Sequence, residues 1–594
     1  MDDTADRAPL PPDLVAGIRT LEDVPDFTLT GPWSREKSDR WAVPCQVQIE
    51  QGSEYVDAVT HWRLSVSQHY PWGTIDVFRA ANSGIRGEFP HELTRHQPCL
   101  ITRAQSLERW GTGAEPPDAY GRLAWHAMRL VQWVQKAARG ELFQPGDHFG
   151  HPLIHDENRN RKRSINTLED DRSLAVWRQH TGQHGEVKLR KDLGHYVSYY
   201  AAEFTRQGKH LLTPAWGTWV TSLTAGQTAR WLMLERRPFI PPWGFPATWG
   251  ELRGVLAEQG MSLDPLLRSA IAMTPKGTPL LLIGYPVPGV IDGPDRQIQW
   301  QACELPSRAE LLPARGFRNT PDSMWLKARH DTFGTASPIT WLLSQPHQAE
   351  ELGSRGFLPE TVRAQRYVVI GAGALGSAVA EHLVRSGVTY ISVFDDDSIQ
   401  TANLVRHTLT LQDVPGNKAE QVAQRLQAIN TLVSPTGFNE RYPPQRDDGA
   451  QAVQAADVII DTTGEAPVIA MLGRRRWDDP KVIISLSLGW KAQSLYAYAE
   501  RTTRFRAPAF NRAILPHVDA DALVDPDEPM PMEGVGCWTP VFPALHTDIQ
   551  LLAAVGATFV REFVEGTDTE RTRVFEQRHG PHGFEGIALR GPLP

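Results

Sequence analysis

Residues 367–397, YVVIGAGALGSAVAEHLVRSGVTYISVFDDD, decide the fold of the C-terminal third of this chain. An apolar run leads into a glycine turn at 371–376, followed by a helix-period segment and a second apolar run that ends in three aspartates. This order predicts a βαβ unit, and therefore a parallel sheet. Apolar runs at 457–464 and 481–490 continue the pattern, and a final helix is predicted over 544–563. The predicted fold class is α/β, with a Rossmann-like C-terminal domain.

The glycine turn has the spacing of a phosphate-binding loop. Gly371, Gly373 and Gly376 form GxGxxG between a strand and a helix, so the main chain can approach a phosphate at the helix N-terminus. Asp395, at the end of the second strand, would hold a ribose hydroxyl. These features fit NAD or FAD at least as well as ATP.

The residues that follow favour ATP. Asp397 precedes Asn403, Arg406 and Lys418, so two cations are predicted near the phosphates. Adenylyl transfer needs such charge as pyrophosphate leaves, whereas hydride transfer has little use for it. The order of glycine loop, Asp-x-Asp, Asn-Leu-x-Arg and lysine resembles the ubiquitin-activating, ThiF and MoeB superfamily.

That resemblance implies the roles of individual residues. Asp395 would bind the ribose, and the phosphates of Mg²⁺-ATP would be held by Asn403, Arg406 and Lys418. The family has glutamine where this chain has His407, a change that the charge on the preceding arginine makes tolerable.

The predicted metal ligand follows the strand at 457–464. The family usually shows Asp-x-Thr-Asp there, with an acid near Mg²⁺. This chain has Asp461-Thr462-Thr463-Gly464-Glu465 instead. Asp461 is the predicted ligand, and Glu465 stays open as the alternative.

Four cysteines occur, at 45, 99, 303 and 537, and none forms a CxxC pair. A zinc site formed by residues close in sequence is therefore not predicted. Cys537 lies in EGVGCWTP, between flexible glycines and the final helix, and is predicted to be a nucleophile that captures the acyl-adenylate as a thioester. Cys45 and Cys303 lie in strand-like segments and are interpreted as strand residues without a catalytic role.

Cys99 is the second predicted nucleophile. It stands between a series of strand-like segments and an amphipathic helix on which Leu123, Ala127, Leu130 and Val134 share one face, with Gly140 as the C-cap. This order resembles ubiquitin-conjugating domains, which carry His-Pro-Asn eight to ten residues before the catalytic cysteine. Here Phe89-Pro90-His91 occupies that place, and the asparagine is missing. His91 and His96 are the candidates for stabilising the oxyanion.

The whole layout resembles bacterial fused activating and conjugating enzymes, some of which occur in antiphage defence operons beside a cyclic-nucleotide synthase. The predicted domains are a conjugating-like α+β domain at 1–145, a mixed α/β linker at 146–350 and a ThiF-type adenylating domain at 351–594. The resemblance implies three partners: a protein whose C-terminus is activated (ubiquitin-like, or the synthase), a target protein that receives it, and a second copy of this chain.

Composition limits the other classes of function. With 41% hydrophobic residues, 22% charged residues and a net charge of −8, the chain has an ordinary globular composition, and nothing favours a nucleic-acid partner. The acidic, proline-containing start lacks the pattern of a secretory signal, and no apolar run of roughly 18 residues occurs. No membrane association and a cytoplasmic location are therefore predicted.

The predicted function is a relay. The carboxylate of a protein is adenylated with ATP, captured on Cys537, transferred to Cys99 and joined to an amine of a target. Two alternatives stay open: an adenylyltransferase for a sulphur carrier, and an NAD-binding or regulatory Rossmann protein.

Overall fold

The structure is a computed structural model. It describes residues 9–36, 39–93, 96–100, 115–154, 163–194, 196–273, 277–307, 310, 320–348, 352–522, 532 and 541–591.

In the part of the N-terminal region that the structure describes, an antiparallel sheet is accompanied by helices α1 and α2. Its sheet has the order β1-β3-β4-β5, with β2 paired to β3, while β6 and β7 form a separate hairpin. The elements are α1 (Pro12–Leu21), β1 (Phe27–Leu29), β2 (Ser34–Glu36), β3 (Arg40–Gln48), β4 (Val59–Ser67), β5 (Ile75–Arg79), β6 (Glu92–Leu93), β7 (Gln97–Pro98) and α2 (Gly121–Arg139).

Helix α2 confirms the face predicted from its periodicity. Leu123, Ala127, Leu130 and Val134 are buried in one cluster with the apolar side chains of β3 and β4. Gly140 ends the helix in the left-handed conformation, with φ +70°. The helix therefore packs on the sheet, and it runs beside the hairpin that leads to Cys99.

The middle of the chain forms a mixed sheet in the order β15-β14-β13-β12-β9-β10-β8-β16, with β11 paired to β10. Its elements are β8 (Arg163–Thr167), α3 (Asp171–Arg178), β9 (His184–Leu193), β10 (Val197–Arg206), β11 (Lys209–Leu212), α4 (Thr218–Ser222), β12 (Thr224–Met233), α5 (Trp249–Ala257), α6 (Leu263–Met273), β13 (Leu280–Pro288), β14 (Asp295–Glu304), α7 (Pro321–Asp331), β15 (Thr340–Trp341) and β16 (Leu343–Pro346).

Three tryptophan side chains pack together on one face of this sheet. Trp177 packs edge-on against Trp231 and Trp300, with ring centroids 5.3 and 5.0 Å apart, and all three are fully buried. The Trp300 indole N–H donates to Glu169 Oε1 at 2.6 Å. Burial raises the pKa of Glu169 to about 8. Three tryptophans that are distant in sequence thus pack together beside a buried acid.

The C-terminal unit confirms the predicted α/β fold. Strands β19, β18, β17, β20 and β21 are parallel in that order, and β22, β23 and β24 extend the sheet antiparallel. The elements are α8 (Glu360–Arg363), β17 (Arg366–Ile370), α9 (Ala374–Arg385), β18 (Tyr390–Phe394), α10 (Lys418–Gln427), β19 (Ser434–Phe438), α11 (Asp447–Ala455), β20 (Val458–Asp461), α12 (Ala466–Arg474), β21 (Lys481–Leu488), β22 (Ser494–Thr502), α13 (Ala507–Ala522), α14 (His546–Glu565), β23 (Glu570–Gly580) and β24 (Gly583–Leu589).

One segment of the predicted linker belongs to this C-terminal unit. Residues 214–224, which include α4, group with residues 347–594, whereas residues 1–213 and 225–346 form the other compact unit. The Gly217 N–H donates to the Thr431 carbonyl at 2.8 Å, and a Cβ on Gly217 would lie 2.2 Å from the Val433 carbonyl oxygen. Close main-chain contact with the residues just before β19 therefore fixes the position of residues 214–224.

Among the described residues, no helix combines the length and the apolar character needed to cross a lipid bilayer.

The buried acid of the middle sheet generates a prediction on stability. The pKa of Glu169 is about 8 in the folded state, against about 4.3 for a glutamate in the unfolded chain. Between about pH 4.3 and pH 8, the folded state therefore binds a proton on Glu169 that the unfolded state has lost. Its contribution to stability is therefore present at pH 5 and is lost as pH rises through 8. Glu169→Gln should show a smaller fall in melting temperature from pH 5 to pH 8.5 than the wild type. An identical fall in a thermal-unfolding series would contradict this prediction.

Candidate functional site

The glycine loop joins β17 to α9 and is fixed by neighbouring main chain. Gly371 has φ +93°, and its N–H donates to the Phe394 carbonyl at 2.8 Å. A Cβ on Gly376 would lie 2.0 Å from the Gly371 carbonyl oxygen and 2.4 Å from Thr462 Oγ1. Both positions therefore exclude a side chain, one for its left-handed backbone and the other for the close approach of helix to strand.

Gly373 differs from these two glycines. It is the N-cap of α9, and a Cβ placed there would meet no atom within 4 Å. The space in front of this residue lies at a helix N-terminus, where main-chain N–H groups and the helix dipole favour an anion. The loop thus has the shape and the charge to take the phosphates of a nucleotide.

Asp395 is tied directly to the glycine loop. Its Oδ2 accepts the Ala372 N–H at 2.7 Å, and its Oδ1 accepts the Asp397 N–H at 2.9 Å. Burial raises the pKa of this carboxyl, while the two hydrogen bonds oppose the rise. The structure therefore places the predicted ribose-binding acid at the carboxyl end of β18, beside the loop.

His407 supports the loop from the other side. The buried imidazole contacts the Ala372 carbonyl through Nε2 at 2.6 Å, and the Leu409 N–H donates to Nδ1 at 3.1 Å. A carbonyl can only accept and an N–H can only donate, so Nε2 carries the proton and Nδ1 is bare. Burial lowers the pKa of His407 to about 4, which keeps the ring neutral.

This tautomer explains the exchange of glutamine for histidine better than a neighbouring charge does. A glutamine amide also offers N–H donors and a carbonyl acceptor on one side chain. His407 therefore supplies the two hydrogen bonds that the glutamine of the resembled family could supply, and the charge on Arg406 is not needed to account for the change.

Lys418 and Asp397 lie together at the start of α10. Lys418 Nζ is 2.9 Å from Asp397 Oδ2, and the Lys418 main-chain N–H donates to the Asp397 carbonyl at 2.8 Å. Asn417, which the sequence argument missed, caps α10 and donates to the carbonyls of Asp395 and Asp397 at 2.9 and 3.1 Å. The signal for this residue was present, since asparagine before a helix is a common N-cap.

Asn403 and Arg406 lie on and beside a short 3-10 helix, Thr401–Val405. Asn403 Oδ1 accepts the Gln400 N–H at 3.1 Å. The Arg406 guanidinium donates from Nη1 to the Phe542 carbonyl. Arg406 thus joins the turn after β18 to the segment that leads into α14.

Asp461 and Glu465 have opposite environments at the end of β20. Asp461 is fully buried; its Oδ1 accepts from Thr463 Oγ1 at 2.7 Å and its Oδ2 accepts from Ser485 Oγ at 2.9 Å. Burial raises the pKa of Asp461. Glu465 is exposed at the N-cap of α12. Asp461 therefore binds its own strand neighbours, and Glu465 faces solvent.

Arg441 is a cation that the sequence argument missed. Its Nε lies 3.4 Å from Asp396 Oδ1, and Asp396, Glu465 and Asp397 together raise the pKa of its exposed guanidinium. The residue follows β19, whereas the acids follow β18 and β20, so only the sheet order brings them together. No motif in the sequence marks this position.

The predicted nucleophile Cys537 lies outside the described residues. The chain is described again from residue 541, just before the Phe542 carbonyl that accepts from Arg406.

Cys99 lies in a cleft of about 850 Å³ in the N-terminal compact unit. The cleft is lined by the β6–β7 hairpin, by α2 and by residues 142–153 with Trp243. Cys99 is partly exposed, and its N–H donates to the His91 carbonyl at 2.7 Å. The hairpin therefore brings the cysteine opposite the residue that the sequence argument aligned with the missing asparagine.

The two candidate histidines differ in their surroundings. The His91 ring packs edge-on against Phe143 at 5.1 Å and bonds to the Leu142 main chain; desolvation in the cleft lowers its pKa. His96 lies on the hairpin turn with its Nδ1 3.6 Å from Glu92 Oε1. His91 is thus held by the segment after α2, whereas His96 faces the acid of its own hairpin.

Arg129, on α2, lies close enough to Cys99 for the two groups to interact electrostatically. Its Nε donates to the Leu100 carbonyl at 3.0 Å, which fixes the guanidinium next to the cysteine. A cationic neighbour of this kind is typical of reactive cysteines. Arg129 carries no motif in the sequence, because it flanks the apolar face of the helix.

The other two cysteines are fully buried strand residues. Burial raises the pKa of Cys45 to about 12, and the pKa of Cys303 also rises strongly for the same reason. Neither thiol has the exposure or the positive neighbour of a reactive cysteine.

Comparisons with known proteins find two family profiles in this chain. The profile of the ThiF family matches residues 347–532, and the profile described as the Cap2 central linker domain matches residues 140–346. A sulfur carrier protein adenylyltransferase of Thermus thermophilus is 32% identical over 109 residues, 18% of this chain and 40% of that protein.

A solved structure, E. coli MccB with AMPCPP and MccA, covers 39% of this chain and 64% of that chain at 16% identity, with a TM-score of 0.28. That likeness is too small to support an inference.

The C-terminal unit thus defines an adenylating enzyme of the ThiF family, and ATP-dependent adenylation of a carboxylate is the activity that this class implies. The whole chain has a closer relationship. It is 30% identical over 574 residues to the ATP-dependent ubiquitin transferase-like protein Cap2 of Enterobacter hormaechei. The aligned residues cover 93% of this chain and 94% of that protein. The chain belongs to the Cap2 family.

Two of the loop glycines generate a paired prediction. Gly376→Ala should destabilise the protein by about 1–3 kcal/mol, because its Cβ overlaps the Gly371 carbonyl and the Thr462 hydroxyl. Gly373→Ala should leave the melting temperature unchanged but weaken ATP binding in calorimetry, because its Cβ enters the space before the helix. Wild-type ATP affinity in Gly373→Ala would show that the phosphates lie elsewhere.

Proposed function

We propose that the chain activates the C-terminal carboxylate of a protein and conjugates it to a target amine, using Cys537 and Cys99 in turn. One observation carries the proposal. The cleft with Cys99, next to the guanidinium of Arg129, belongs to the same chain as an adenylating loop. An enzyme that stopped at the adenylate would have no need of a partly exposed cysteine beside a cation in a separate cleft.

The first step joins the carboxylate to AMP. A carboxylate oxygen attacks the α-phosphorus of ATP, and the bond to pyrophosphate breaks. Lys418 and Arg406, with Asn403, would hold the phosphates; this requires Lys418 to exchange Asp397 for a phosphate oxygen. The loop of Gly371, Gly373 and Gly376 would carry the triphosphate, and Asp395 the ribose.

The following steps move the acyl group between sulphurs. The Cys537 thiolate attacks the acyl-adenylate and expels AMP, the Cys99 thiolate attacks that thioester and releases Cys537, and an amine attacks the second thioester to give an amide. The tie from Arg406 to the Phe542 carbonyl supports coupling of the first two sites, because it links the nucleotide turn to the segment after Cys537.

Magnesium is part of this proposal. When bound, it would neutralise charge on the triphosphate as pyrophosphate leaves. Asp461 was the predicted ligand, but its hydrogen bonds to Thr463 and Ser485 support Glu465 as the acid that faces the metal. Asp397 lies close by, and Asp395, Asp396 and Asp397 bring carboxylate oxygens within 4.8 Å of one another.

The partners follow from the same proposal. The activated protein would be ubiquitin-like or a cyclic-nucleotide synthase of a defence operon, and the acceptor a lysine of a target protein. The proposal also includes a homodimer formed through the C-terminal unit, a cytoplasmic location and a role in antiviral defence. The rival, adenylation of a sulphur carrier, draws on relatives such as the Thermus thermophilus adenylyltransferase.

The relay predicts two DTT-sensitive adducts. With Mg²⁺-ATP and small proteins encoded beside the gene, wild type should form thioesters on both cysteines, and Cys537→Ala should lose the Cys99 adduct because its acyl donor is missing. Cys45→Ala, which removes a buried thiol, is the matched control. A Cys99 adduct that persists in Cys537→Ala would refute the order of steps. ATP–pyrophosphate exchange without any thioester would favour the sulphur-carrier reaction.

The metal assignment predicts a difference between the two acids. Glu465→Gln should raise the Mg²⁺ concentration needed for half-maximal ATP–pyrophosphate exchange by about tenfold, which is the effect expected when one group that holds a metal is lost. The melting temperature of this variant should stay unchanged. Asp461→Asn should mainly lower the melting temperature, because Asp461 holds Thr463 and Ser485. An unchanged Mg²⁺ requirement in Glu465→Gln would exclude it as the metal-facing acid.

A further inference from the structure

The hairpin that carries Cys99 also holds a buried carboxylate. Glu92 begins β6 and pairs with Pro98 of β7, one residue before Cys99. Only 3% of the Glu92 side chain is exposed, although the residue lines the same cleft as the cysteine. An acid so close to a reactive thiol and so well removed from water requires an explanation.

The two oxygens of this carboxylate have different surroundings. Oε2 is 2.7 Å from the Arg79 guanidinium and accepts the Phe89 N–H at 3.2 Å. Oε1 is buried without a hydrogen-bond donor among the described residues. The nearest ring nitrogen is Nδ1 of His96, at 3.6 Å, and 48% of the His96 side chain is exposed.

This arrangement is that of a carboxylate behind an imidazole. The buried acid faces Nδ1, so a proton on Nδ1 would point to it and Nε2 would be left to accept another proton. Arg79 fixes the acid from behind. His96 also has a left-handed backbone, with φ +54°, which holds this side chain at the turn three residues before Cys99.

Resting on the proposed function of Cys99, we propose that His96 is the general base for the attack of the acceptor amine on the Cys99 thioester, with Glu92 as its positioning residue. The acceptor is therefore an alkyl amine such as a lysine side chain. This assignment gives His96 a proton-transfer role in place of oxyanion stabilisation. His91, which bonds to the Leu142 main chain, has a different position in the cleft.

The step balances in protons and bonds. A lysine ammonium, with an ordinary pKa of about 10.4, first loses one proton to water. The neutral nitrogen then attacks the thioester carbonyl while His96 Nε2 takes the second N–H proton. The carbon–sulphur bond breaks, and the imidazolium returns that proton to the Cys99 thiolate, giving an amide and a free thiol.

The charged groups around the pair define its pH dependence. Burial raises the pKa of Glu92 to about 7, against the lowering effect of Arg79, while Glu88 raises it further. Glu92 and His96 face each other across 3.6 Å, so the charge of the carboxylate acts on the imidazole. Loss of the negative carboxylate would destabilise the His96 imidazolium and move the inflection of the rate to lower pH.

The test loads Cys99 without the activating steps. A fluorescent peptide ending in Gly-Gly, as its mercaptoethanesulfonate thioester, is exchanged onto the full-length Cys537→Ala protein, where the buried Cys45 and Cys303 are protected. The loaded protein is then discharged with L-lysine or with hydroxylamine, which is already neutral at pH 7 and needs little base catalysis.

Expected results distinguish catalysis from structure. His96→Gln should slow discharge to lysine at pH 7 by at least about tenfold and discharge to hydroxylamine by less than about twofold. Glu92→Gln should slow lysine discharge less and shift the pH inflection downward. His148→Gln, which alters another histidine of the same cleft, is the matched control and should behave as the parent protein.

Three outcomes would overturn the proposal: parental lysine discharge in His96→Gln, equal slowing with both nucleophiles, or a pH profile without an inflection in the parent protein. The last measurement needs no variant, so it holds even if a substitution unfolds the hairpin. If chemically loaded Cys99 discharges as expected but ATP never loads it, the relay is wrong and the dyad stands. Failure of Cys99 to accept the thioester would refute both.

Discussion

The close approach of α9 to β17 at the glycine loop is the constraint on which the nucleotide site depends. A side chain at Gly376 would overlap the Gly371 carbonyl and the Thr462 hydroxyl. Because Thr462 follows β20, this one contact fixes the helix N-terminus against two strands at once. Asp395 and His407 then bind the Ala372 N–H and carbonyl, so the loop is held on both faces.

Burial divides the polar groups of the C-terminal unit into supports and reagents. His407 is kept neutral, and both oxygens of Asp461 accept hydrogen bonds, from Thr463 and Ser485. Both residues therefore support the structure around the site. Lys418, Glu465 and Arg441 lie nearer to solvent at the carboxyl edge of the sheet. The same desolvation that costs stability thus sets the protonation state of the supporting groups.

The segment after α2 has a part in the Cys99 cleft that its sequence did not suggest. Leu142 and Phe143 hold the His91 ring, and Trp243 lines the cleft with them. Residues matched by the central linker profile, 140–346, therefore line the cleft of the cysteine. Arg129 of α2 and the Glu92–His96 pair line the same cleft.

The sequence alone determined the parallel α/β unit, the loop glycines and the apolar face of α2, because each depends on local periodicity or on residues a few positions apart. It also placed Asp395, Asp397 and Lys418 in one site, through the order of a known motif. Tertiary structure alone decided the environments of Asp461 and Glu465 and the approach of Arg441, because these depend on strand order. Hydrogen bonds between distant segments, such as that from Arg406 to Phe542, leave no periodic trace in a sequence.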